Sequence, residues 1–87
     1  MHELALIRDI IARLEAIAAE NSARRISRIR LRVGALSHIS PDAFREQFKM
    51  MAGGRSVLDG TTIEIYVADE MDEHAQDVLL ESVDIEC

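Results

Sequence analysis

Between Arg28 and Val33 the chain alternates strictly, with Ile29, Leu31 and Val33 on one parity and Arg28, Arg30 and Arg32 on the other. A period of two places all three aliphatic side chains on one face of an extended strand and all three guanidinium groups on the other. Such a strand needs a sheet that is dry on one side and wet on the other. With 87 residues the chain supports one core, and its 48% hydrophobic content is enough to fill one. The remaining elements must therefore cover the dry face of that single sheet.

Residues 3 to 20 supply the first cover. Leu4, Ile7, Ile11, Leu14 and Ala18, widened by Ile10 and Ile17, recur at helical spacing over more than four turns. Ser40-Pro41-Asp42 opens a second helix, because Ser caps, Pro suits the first turn and Asp complements the helix dipole. Phe44, Phe48 and Met51 form its inward face, and Gly53-Gly54 stops it. After Asp59-Gly60, the run Thr62 to Val67 alternates again, with Ile63, Ile65 and Val67 inward and Thr62, Glu64 and Tyr66 outward. An acidic connection, 69–77, precedes a third strand-like run from Val78 to Ile85.

The expected fold is α+β, in the order α-β-α-β-β, with two helices packed on one face of a three-stranded mixed β-sheet. The helix between the first two strands is a crossover that sets them parallel, and the acidic connection turns the last strand back antiparallel. One domain spans 1–87.

Charge and composition exclude several functions. Ten Lys+Arg against sixteen Asp+Glu give a net charge of −6, which opposes binding to a phosphate backbone. Aromatic residues are only 3% of the chain and Trp is missing, so stacking on exposed bases has no support either. No nucleic-acid partner is expected. The helix over 3–20 carries Arg8, Asp9, Arg13 and Glu15, so it is neither a signal peptide nor a membrane span. The single cysteine, Cys87, forms no internal disulfide and no Cys-x-x-Cys zinc pair, and the expected compartment is the cytoplasm. No nucleophile and base pair or Gly-rich phosphate loop stands out, and an enzyme is not expected.

Metal chemistry centres on the first residues. A terminal amine, the amide nitrogen that follows it and the imidazole of His2 form one chelating run, and nitrogen donors of this kind suit square-planar Ni(II) or Cu(II). On a helix, His2 lies far round from the apolar stripe, which disfavours a core histidine. The plain alternative is an ordinary terminal histidine, with Glu3 stabilising the first helical turn. The acidic connection Asp69, Glu70, Asp72, Glu73, His74 and Asp77 lacks calcium-loop spacing and reads as a solvated loop. His38 reads as a loop histidine, Cys87 as a free thiol, and Met50 and Met51 as divided between surface and core. The ladder Arg28, Arg30 and Arg32 either docks an acidic partner or pairs across the sheet with Glu64, Asp84 and Glu86.

Five segments occur in order: Met1-His2-Glu3-Leu4, Val33-Gly34-Ala35-Leu36-Ser37 after the arginine strand, Ser40-Pro41 with Phe44 and Phe48, Asp59-Gly60 before Ile63-Glu64-Ile65, and the ending Val78 to Glu86. In this combination the chain resembles the HypA/HybF family of nickel metallochaperones, which mature nickel–iron hydrogenase and in some organisms urease. The resemblance implies the fold of that family's nickel-binding domain. It also implies Ni(II) bound through the amine of Met1 and through His2, supported by Glu3, and carried as cargo. A maturation GTPase and the hydrogenase large subunit are the implied partners. Family members carry a zinc domain with two Cys-x-x-Cys pairs between the last two strands; 69–77 stands in its place and holds no cysteine, so structural zinc is expected to be absent. The contrasting expectation is a metal-free interaction module, a degenerate or zinc-domain-deleted form that keeps the scaffold. Two open sheet edges and a thin core also make a homodimer an expectation.

Overall fold

The arginine and aliphatic alternation forms strand β1, Arg25–Val33, at the centre of a three-stranded sheet. The computed structural model describes residues 3–35, 37, 39–69 and 78–87. Helix α1 covers Glu3–Glu20, helix α2 covers Pro41–Ala52, strand β2 covers Thr62–Val67 and strand β3 covers Val78–Glu86, with a short 3-10 turn at Ser56–Leu58. The sheet order is β2-β1-β3, with β2 parallel and β3 antiparallel to β1. This is the expected α+β arrangement. No helix among the described residues is long and apolar enough to cross a membrane.

Local chemistry sets the ends of α2. Ser40 caps it by accepting from the Ala43 amide at 3.4 Å, Pro41 occupies the first turn, and Asp42 lies at the positive end of the dipole. Phe44 and Phe48 are fully buried, their rings stacked with centroids 6.3 Å apart, and Ala52 continues that face. Ile7, Ile10, Ile11, Leu14 and Ala18 of α1 meet them over Ile26, Ile29, Leu31 and Val33 of β1. Met51 packs partly buried against this core while Met50 is exposed, the division expected for the pair.

Two bulges decide which residues enter the core. Ile26 and Ile29 are three residues apart, yet both are fully buried. A regular strand would put them on opposite faces. Ser27 is the extra residue: Ile26 pairs with Ile85 and Arg28 with Asp84, so the strand changes parity between them. On β3, Glu81 plays the same part between Ser82, opposite Arg30, and Leu80, opposite Leu31.

Two expected core residues lie outside the core. Leu4 is 53% exposed because helix packing begins one turn later, at Ile7. Val67 is 51% exposed at the far end of the edge strand β2, where Ala68 turns in and donates its amide to the Val33 carbonyl at 2.8 Å.

Arg25 closes the opposite end. It donates to the carbonyls of Asp59 and Gly60 at 2.9 and 3.1 Å and to the Glu86 carboxylate at 3.1 Å. Gly60 adopts φ +70°, and a Cβ there would stand 3.2 Å from the Arg25 guanidinium. Gly60→Ala therefore meets a left-handed backbone and a crowded partner together. It is expected to cost about 1–2 kcal/mol, read as a lower denaturation midpoint at unchanged slope.

Candidate metal centre

Both helices run antiparallel to β1. Asn21 to Arg24 join the end of α1 directly to the start of β1, and α2 returns from the end of β1 to feed the parallel strand β2. The two helices therefore run side by side in the same direction. The contacts agree: Arg55, just past the end of α2, binds Glu15 of α1 with both carboxylate oxygens at 2.8 and 2.9 Å. The start of α1 at Glu3, the Ser40 cap of α2, and the ends of β1 and β2 at Val33 and Val67 thus share one end of the molecule.

That end is where the expected metal donors attach. Met1 and His2 lie outside the described residues, as do His38 and 70–77, and Glu3 is described as the first residue of α1 without its side chain. Asp69, the first residue of the acidic connection, is exposed. The first turn of α1 is weakly anchored, since Leu4 and Ala5 both face solvent. Among the described residues no group of three or more His, Cys, Asp or Glu side chains is placed to hold a metal ion. Cys87 is exposed, its thiol 3.8 Å from the Asn21 carbonyl at the opposite end of the sheet.

A cleft of about 420 Å³ is also at that opposite end, lined by Phe48, Ala52, Arg55, Leu58, Gly60 and Thr61 among others. Its single carboxylate is Asp59, which offers a metal too few hard donors.

The open sheet face resolves the arginine ladder in favour of internal pairing. Arg28 and Arg30 converge on Glu64 at 3.7 and 3.1 Å, Arg32 lies 3.9 Å from Glu81, and its guanidinium stands 5.5 Å from the centre of the Tyr66 ring. Exposed pairs of this kind contribute about 0.2–1 kcal/mol each. Glu64 was legible as a partner from strand alternation, whereas Glu86, expected beside the ladder, pairs with Arg25. Glu81 was not legible, because it reaches this face through a bulge that alternation alone does not reveal.

Comparison with known proteins follows the same outline. A family model described as "HypA: Hydrogenase/urease nickel incorporation, metallochaperone, hypA" matches residues 1–73. The hydrogenase maturation factor HypA of Rhizobium leguminosarum bv. viciae is 38% identical over 65 residues, 75% of this chain and 57% of that protein. The HypA of Trichodesmium erythraeum is 42% identical over 66 residues, 75% of this chain and 54% of that protein. The chain thus spans a little over half the length of the curated relatives it matches. Among solved structures, the nickel metallochaperone HypA of Helicobacter pylori superposes with a TM-score of 0.82 at 17% identity, covering 99% of this chain and 98% of that one. A second HypA solution structure gives a TM-score of 0.80 at 18% identity. At such identities the likeness is one of fold.

Proposed function

This chain belongs to the HypA family, and on that premise we propose that it is a nickel metallochaperone whose cargo site is its own beginning: the amine of Met1, the amide nitrogen that follows, and the imidazole of His2, with Glu3 in support. The observation that carries this reading is that the family match starts at residue 1 and so includes Met1-His2-Glu3. Nitrogen donors in one short run favour a square-planar Ni(II) complex. The exposed first turn of α1 is compatible with exchanging such ligands one at a time, because nothing in the core depends on Leu4 or Ala5.

The carrier reading also fixes what surrounds the metal. Ni(II) is delivered rather than used, in the cytoplasm, to a hydrogenase large subunit with the help of a maturation GTPase. The whole chain acts as one nickel-binding domain, and 69–77 replaces the zinc domain of longer relatives. Its one cysteine, Cys87, is not in that connection, so the chain works without structural zinc. Binding must release protons from the amine and amide, so affinity falls as pH falls.

A calorimetric Ni(II) titration of untagged protein tests this, run beside His2→Ala and a version with two extra residues before Met1. The parent is expected to bind one equivalent tightly. Both variants lose a first-hand ligand and are expected to fall by more than the roughly 10–100-fold that loss of an outer partner costs. Equal binding by all three, or none by any, overturns the carrier reading and leaves the metal-free interaction module.

A further inference from the structure

Strand β2 is an edge of the sheet, and among the described residues no strand pairs with its outer side. One bond settles which of its backbone groups are free. Ala68 donates its amide to the Val33 carbonyl, so Tyr66 and Ala68 turn their backbone groups toward β1, and Val67 between them turns its own outward. The register is unbroken, so Ile65 and Ile63 face outward as well. Arg45 of α2 agrees, reaching the Ile63 carbonyl from outside at 3.3 Å. The two ends of this row differ in chemistry. Among the described residues four large apolar side chains are more than half exposed, and two of them, Tyr66 and Val67, adjoin at one end. At the other end stand Arg45 and, one helical turn on, Lys49, which lines the cleft of about 420 Å³ together with Gly60 and Thr61.

We infer that this edge binds the carboxyl-terminal segment of a partner protein, extended and antiparallel to β2, with its terminal carboxylate beside Arg45 and Lys49. Charge sets the direction. An antiparallel guest enters at Val67 and finishes at Ile63, where the cations are, whereas a parallel guest brings its amino terminus to them. The guest residue opposite Ile65 exchanges two main-chain hydrogen bonds with it, and the residue two places earlier covers Val67. The last residue lies opposite Ile63, whose outward amide and the Arg45 guanidinium both donate to a carboxylate. Pairing ends there, because the Ile63 carbonyl is already engaged and the chain turns away through Gly60 at φ +70°. Asp42 is the carboxylate now on Arg45, at 3.4 Å, and its side chain is 99% exposed, so displacing it costs little. The cleft holds one carboxylate, Asp59, against two cations, Lys49 and Arg55. On β2 itself the single acidic side chain, Glu64, is shared by Arg28 and Arg30. The opposite edge, β3, carries Glu81, Asp84 and Glu86 and no cation, so a carboxylate is directed to β2 instead.

The test is an NMR titration of the isotope-labelled full chain with the peptide acetyl-Thr-Val-Thr-Val-Lys-Val, once with a free terminal carboxylate and once as the amide. Its lysine faces Glu64 and keeps the peptide soluble. The free acid is expected to shift the amides of Ile63, Ile65 and Val67, and the amidated peptide to bind about 10-fold or more weakly. Lys49→Glu changes an exposed helix position, so the fold is kept. It is expected to weaken the acid by a similar factor and to leave the amidated peptide nearly unchanged. No shift at low-millimolar peptide overturns the proposal, and so do equal affinities for acid and amide or shifts centred on another face. Shifts of the same three amides that follow protein concentration without peptide assign the edge to a second copy and overturn it as well.

Discussion

Phe44→Ala is expected to remove a large share of this domain's stability. Phe44 is fully buried, stacked on Phe48 and enclosed by α1 and β1, so truncation removes its whole apolar area and leaves a ring-sized hole. Substitutions of this kind cost about 3–5 kcal/mol. A domain of this size has about 5–10 kcal/mol in total. Far-UV circular dichroism through a urea titration should show the midpoint falling by about a third or more. Phe44→Leu, which keeps most of the volume, should lose much less. Equal midpoints for the two would mean that the helices close over the gap and that this core is far softer than its packing indicates.

Ile26→Ala is expected to be comparably damaging, whereas deleting Ser27, the extra residue of the bulge, whose hydroxyl donates to the Asp84 carbonyl at 3.3 Å, is expected to cost far less. Without Ser27, β1 runs with unbroken alternation, and Ile26 stays on the inward face with Ile29, Leu31 and Val33, still opposite Ile85, while Arg28 stays opposite Asp84. Losing burial of one isoleucine costs about 1.5–3 kcal/mol. In Ile26→Ala the cavity left behind adds to that, for a total of about 2–5 kcal/mol. Ser27→Ala, which preserves the count, should remain within about 1 kcal/mol of the parent. If deleting Ser27 lowers the denaturation midpoint as much as Ile26→Ala does, Ser27 is not merely the extra residue of this bulge.

These two cases mark what was legible in the sequence. Periodicity placed α1 and β2 at their observed limits and found Ile29, Leu31, Val33, Phe44 and Phe48, because each is set by a local repeat that tertiary contacts merely reinforce. It missed Ile26, since a bulge cancels alternation and becomes visible only once a partner strand is in register. Leu4 and Val67 fit their repeats and still face water, because a repeat specifies a face and not how far the covering layer extends along it. The choice between a docking ladder and internal pairing for Arg28, Arg30 and Arg32 likewise awaited the register that brings Glu64 beside them. Met1-His2-Glu3 was legible for a different reason. Its chelating order is a property of covalent sequence and needs no fold to be recognised.

Val33 pairs with Val67 on one side and with Val78 on the other. The chain therefore leaves the sheet and re-enters it on the two flanks of one residue, roughly two strand spacings, or about 10 Å, apart. For an excursion between such fixed and nearby anchors, the entropic penalty grows only with the logarithm of its length. A connection four times as long would cost about 1.2 kcal/mol more. This junction is a point where whole modules can be gained or lost during evolution while every pairing in the sheet stays as it is.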